Sequence, residues 1–106
     1  MQVRPLPKPK LHKHRARNNP RPTADRVCRE CGQIFAERHE CFYGPLRQLS
    51  IQYGLQVDLC HEHHRGDNGP HHNRMVNLQY KREAQARFEQ EHGHEEFMRI
   101  FLKSYL

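Results

Sequence analysis

Tyr53-Gly54-Leu55-Gln56-Val57-Asp58-Leu59-Cys60-His61-Glu62-His63-His64 is the stretch on which the fold turns. Leu55, Val57 and Leu59 alternate with Gln56 and Asp58, the period-two pattern of a strand with one buried face. The strand runs directly into Cys60-x-x-His63. A two-residue spacer of this kind lets both side chains reach one ion while backbone N–H groups point at the sulfur. The twelve residues therefore join a strand to half of a metal site.

The other half lies upstream. Val27-Cys28-Arg29-Glu30-Cys31-Gly32 is a C-x-x-C-G turn, 28 residues before Cys60. Cys28, Cys31, Cys60 and His63 supply four ligands, enough to close a tetrahedral zinc site; His61 and His64 are adjacent alternatives for the fourth place. Cys41, between Glu40 and Phe42, reads as a small buried residue. The chain shows no export signal, so the expected compartment is the reducing cytoplasm, where cysteines serve as thiolate ligands more readily than as disulfides.

Size and composition favour a staple. A chain of 106 residues with 35% hydrophobic residues has room for one thin core, and small domains of this kind often use a metal or a disulfide. No run approaches the roughly 18 apolar residues of a membrane span, so a membrane is not an expected partner. The net charge of +6 is uneven. Residues 1–26 carry eight basic residues against Asp25, whereas residues 27–106 carry ten against eleven acids. Five of the seven prolines fall in residues 1–24. The chain thus divides into a basic, Pro-rich flexible arm at 1–26 and a near-neutral domain at 27–106. The arm, with Arg15, Arg17 and Arg21, suits phosphate contact without sequence choice.

Within the domain, Gln33-Ile34-Phe35 is a short extended candidate, and Arg38 to Phe42 suits a second strand ending at the Tyr43-Gly44-Pro45 turn. Leu46 to Tyr53 is ambiguous, with room for one helical turn. Residues 65–70 form a loop. Val76, Tyr80, Ala84 and Phe88 recur at helical spacing, Gly93 breaks the pattern, and Glu95 and Glu96 suit the first turn of a second helix. Phe97, Phe101 and Tyr105 give that helix an apolar face, either for the core or for a homodimer. The fold class is α+β.

A closed four-ligand zinc has no open position for hydrolysis. If it joins the two Cys-containing turns, however, it brings His39 and His64 to one space, with Glu37 or Glu40 alongside and His71 seven residues further on. A histidine base facing a second, catalytic divalent cation (Mg²⁺, Mn²⁺ or Zn²⁺) is an arrangement that hydrolyses phosphodiesters.

The order of these features resembles the HNH (His-Me finger) endonucleases, closest to small phage and prophage HNH-like proteins. The matching stretches are Glu37-Arg38-His39-Glu40-Cys41-Phe42-Tyr43-Gly44, the Tyr53–His64 segment, and Glu95-Glu96-Phe97-Met98-Arg99-Ile100-Phe101. The resemblance covers about residues 27–106. It implies a zinc-stapled ββα-metal core with a helical C-terminal tail, His39 as general base, and His64 as a catalytic-metal ligand with His71 as a second candidate. The chain departs from the family pattern in three places. The acid Glu40 follows His39, Glu37 stands where close relatives place histidine, and Leu55 occupies the position of the motif asparagine. The roles of Glu40 and His39 as ligand or base therefore stay open.

The expected function is metal-dependent cleavage of DNA, in phage DNA processing or recombination, with Arg38, Arg47, Arg65 and Arg74 on phosphates. The alternative is a zinc-stapled nucleic-acid-binding or recombination adaptor without chemistry.

Overall fold

In the computed structural model, residues 21–106 are described. The expected arm therefore lies mostly outside the described residues, Arg15 and Arg17 included. The hydrogen-bonded body begins just before the boundary suggested by composition: Ala36 N–H donates to the Arg26 carbonyl at 2.9 Å.

The first Cys turn closes as a small hairpin, with Cys28 N–H bonded to Gln33 O at 2.9 Å and a single bridge between Val27 and Ile34. Gly32 sits at φ +79°, a conformation open to glycine at no steric cost. Two strands follow: β1 (Glu37–Glu40) and β2 (Gln56–Leu59), paired antiparallel. Their register sets Glu37 opposite Leu59, Arg38 opposite Asp58, His39 opposite Val57 and Glu40 opposite Gln56. Because side chains alternate across a strand, Glu37 and His39 share one face. Arg38 and Glu40 share the other. Arg29 N–H reaches the Asp58 carbonyl at 2.9 Å, tying the hairpin to the end of β2.

Between the strands lie a 3-10 turn at Gly44–Leu46 and the helix α1 (Arg47–Tyr53), longer than the single turn expected from sequence. Gly54 ends α1 in the left-handed region at φ +69°. Ser50, fully buried, accepts from Phe42 N–H at 2.9 Å and donates to Phe42 O at 2.7 Å, so α1 is clasped to the end of β1.

After β2 comes α2 (His61–Arg65), a five-residue helix that sequence periodicity is too short to register. Its N-cap is Cys60, whose sulfur accepts from His63 N–H. The helices α3 (Arg74–His92) and α4 (His94–Phe101) are separated by Gly93, as the sequence indicates. Asn73 caps α3, its Oδ1 accepting from Met75 and Val76 N–H.

The apolar face of α4 closes the core of its own chain. Phe97 and Phe101 are 0% and 3% exposed, stack at 4.4 Å, and pack against Phe42 and Phe88. Of the two uses expected for this face, the structure takes the intramolecular one. Buried Gln85 then pins the C-terminal tail: it donates to Ser104 Oγ at 3.1 Å and accepts from Tyr105 N–H at 2.7 Å. The architecture is α+β, a two-stranded sheet with helices, and no described helix is long and apolar enough to cross a membrane.

Candidate functional site

Cys28, Cys31, Cys60 and His63 come together with all four ligand atoms within 4.8 Å of one another. Cys31 and Cys60 sulfurs are 3.7 Å apart, and His63 Nδ1 lies 3.2 Å from Cys60 Sγ and 3.6 Å from Cys28 Sγ. A tetrahedral zinc site with bonds of about 2.3 Å to sulfur and 2.0 Å to nitrogen needs edges of roughly 3.8 and 3.5 Å. The spacing is compatible with a structural metal site.

The backbone supports negative sulfur. Glu30 N–H points at Cys28 Sγ and His63 N–H at Cys60 Sγ, each at 3.4 Å. Burial opposes ionisation of Cys28, but backbone N–H groups around it prevail and bring its thiol down to about 6. Of the three histidines offered by the sequence, His63 is the one that joins the sulfurs. His61 is exposed and bonded to Glu37 at 2.9 Å. His64 belongs to a second cluster.

That second cluster is His39 from β1, His64 from α2 and His71 from the following loop, again with ligand atoms within 4.8 Å. Their ring centroids are 4.8 to 5.2 Å apart. The loop can bring His71 so close because Gly69 lies against α2: a Cβ there would meet the His63 and His64 carbonyl oxygens at 2.6 Å. His64 Nδ1 donates to Glu37 Oε1 at 2.6 Å, which leaves its Nε2 lone pair facing His71 Nε2 at 3.1 Å. Two bare nitrogen lone pairs at that distance repel unless a proton or a cation stands between them. His39 Nε2 is buried and has no hydrogen-bond partner, a condition that costs free energy unless something is bound there.

Electrostatics favour neutral imidazoles. Burial, helped by neighbouring His64, His71, Lys81 and Arg65, lowers His39 to about 3. Burial beside His64 also lowers His71. Burial works to raise the Glu37 carboxyl, but hydrogen bonds from His61 and His64 outweigh it and hold it below its ordinary value.

The histidines open into a cleft of about 160 Å³ that Arg38, Arg47 and Arg65 also line. At about 30 Å³ per water, this is room for a few waters or one phosphate group. Glu40 borders the cleft but does not join the histidines. It sits on the opposite strand face from His39 and is held by Arg47 at 3.5 Å and Gln56 at 3.3 Å. The acid that serves the cluster is Glu37. Its signal in the sequence is the i, i+2 spacing to His39 on a strand. Arg38 pairs with Asp58 at 3.1 Å. Arg74 lines a different cavity, and Arg21 is exposed outside the cleft. Tyr43, whose ring lies 5.5 Å from His71 and 6.0 Å from His39, walls the cleft, although the sequence offered it only as part of a turn.

No protein-family model, curated protein or solved structure matches this chain. Its site therefore has to be interpreted from its own geometry.

Proposed function

We propose that the chain is a metal-dependent DNA endonuclease of the HNH (His-Me finger) type, with Cys28, Cys31, Cys60 and His63 holding a structural zinc. The observation that carries this reading is the meeting of His39, His64 and His71 in a cleft lined by three arginines. His64 and His71, with Nε2 atoms 3.1 Å apart, are the ligand pair. Glu37 fixes the His64 tautomer, as carboxylates behind metal-binding histidines do. His39 Nε2, buried and unpartnered, accepts the proton of the attacking water. The divalent cation, when bound, supplies charge neutralisation at the scissile phosphate and the leaving oxygen. Arg38, Arg47 and Arg65 hold the flanking phosphates, a contact that positions the strand without selecting sequence.

The test is nicking of supercoiled plasmid in Mg²⁺ or Mn²⁺, with Mn²⁺ binding measured separately and zinc content matched. His39→Ala and His39→Gln are expected to lose about 10²–10⁴-fold in nicking, the usual contribution of a general base, while still binding Mn²⁺. Loss of Mn²⁺ binding in both variants would make His39 a ligand and overturn its base role. Absence of nicking by the wild type on supercoiled, branched and single-stranded DNA would leave the zinc-stapled adaptor.

A further inference from the structure

A second basic cavity is joined to the wall of the histidine cleft through the contact of Lys81 with Tyr43. It has a volume of about 500 Å³, and Arg74 and Lys81 of α3 line it together with Lys103 and Tyr105 of the C-terminal tail. Among the described residues, none of its three cations is paired with a carboxylate. The two ammonium groups instead share one aromatic ring: Lys81 Nζ lies 5.2 Å and Lys103 Nζ 5.3 Å from the centre of Tyr105. The Tyr105 backbone is anchored, its N–H donating to Gln85 and its carbonyl accepting from Arg82 at 2.8 Å, and its ring packs on Phe42 at 5.4 Å.

Solvated surface lysines normally spread apart. Here they are gathered, and the cost is visible: burial, added to the neighbouring Lys103 charge, lowers the Lys81 ammonium. Gathered cations without carboxylate partners describe an anion site.

Tyr43 links this cavity to the histidines. Lys81 Nζ lies 5.0 Å from the Tyr43 ring, whose other close neighbour is His71 at 5.5 Å. Two such steps cover at most roughly three nucleotides of one strand at about 3.4 Å each. We propose that the Arg74–Lys81–Lys103 cavity binds a backbone phosphate of the nucleic-acid strand whose scissile phosphate lies at the histidines. The inference rests on the nucleic-acid reading above. It adds a second phosphate subsite on α3 and a direction for the strand, across Tyr43. A free phosphate has the same chemistry, but continuity with the cleft favours a strand.

Fluorescence anisotropy with single-stranded and duplex oligonucleotides tests it, over a range of salt and without added Mg²⁺ or Mn²⁺. The wild type is compared with the Arg74→Gln/Lys103→Gln double variant; both residues are exposed, so folding should survive, and circular dichroism checks that it does. The variant is expected to bind more weakly, with the slope of log K against log salt shallower by about 0.7 to 0.9, the share of one phosphate contact. An unchanged slope overturns the subsite, even if the wild type nicks DNA. Weaker binding of inorganic phosphate with an unchanged oligonucleotide slope would make it a free-anion site and also overturn the strand proposal. A shallower slope in a protein that never nicks would sustain the subsite and remove the nuclease. No oligonucleotide binding by the wild type would overturn both.

Discussion

Removing the Glu37 carboxylate should weaken divalent-cation binding at the histidine cluster while leaving the cysteine site loaded. Glu37 makes two hydrogen bonds, to His64 Nδ1 at 2.6 Å and His61 Nδ1 at 2.9 Å. The second is of little consequence, because the His61 side chain is 75% exposed and water can replace the carboxylate. The first is different: the His64 side chain is only 6% exposed. In Glu37→Ala the buried Nδ1–H loses its acceptor, at a cost of about 1–3 kcal/mol, and the ring is free to present its other tautomer to the cleft. Loss of a carboxylate behind a metal-binding histidine typically reduces affinity about 10–100-fold, or roughly 1.4–2.7 kcal/mol. The two figures agree. Glu37→Gln retains an acceptor oxygen but not the charge, so its loss should be smaller, within about tenfold. Mn²⁺ titration followed by electron paramagnetic resonance reads the affinity, and atomic absorption confirms that zinc stays with the cysteines. If Glu37→Ala binds Mn²⁺ as tightly as the wild type at full zinc content, then Glu37 does not position a ligand.

Two further perturbations address the fold. Zinc removal by a strong chelator should unfold residues 27–106, because structural zinc binding contributes folding free energy. Thiol titration should then rise from none to all four cysteines, Cys41 included, although in the folded protein it is 1% exposed and burial pushes its thiol up to about 12. Reaction of any cysteine before chelation, or an unchanged circular dichroism spectrum after it, would refute the staple. Phe97→Ala removes the ring that stacks on Phe101 and meets Phe42 and Phe88. The expected cost is about 3–5 kcal/mol, and at about 4–8 °C per kcal/mol the melting temperature should fall by more than ten degrees. A fall of less than about 5 °C would show that α4 does not close this core.

The parts of the molecule legible in sequence are those in which one local pattern suffices. Alternation from Leu55 to Leu59 gives β2, recurrence from Val76 to Phe88 gives α3, and Gly93 marks its end. The Cys-x-x-Cys and Cys-x-x-His spacings yield the sulfur cluster. The missing details depend on three-dimensional closure. Whether His61, His63 or His64 meets the sulfurs is decided by the turn of α2, five residues long and nucleated by Cys60 as its cap. The choice between Glu37 and Glu40 follows from which face of β1 looks toward α2, and that face is set by pairing with β2. Lys81 meets the Tyr43 ring across 38 residues of sequence, a contact between a helix and a turn that no local pattern reports.

The uneven charge of the chain bears on how the cleft would work. Of its three arginines, Arg38 is shared with Asp58 in a part-exposed pair, and Arg47 with the buried Glu40 carboxylate. Both carboxylates offset charge that would otherwise attract a phosphate. Among the described residues Arg65 is the cleft arginine without a carboxylate partner. A cleft with so little free positive charge holds a strand weakly by itself. Two charges from a divalent cation at His64 and His71 would exceed the contribution of Arg65, and the unpaired cations of the Tyr105 cavity would hold the strand a few nucleotides away. Residues of both clusters that could hold a metal lie side by side in α2, His63 in one and His64 in the other. Loss of the sulfur-bound metal would therefore displace a ligand of the second cluster even before the core unfolds. The structural site would thus set the geometry of the chemical one, and limited chelation should abolish Mn²⁺ binding no later than it abolishes helicity.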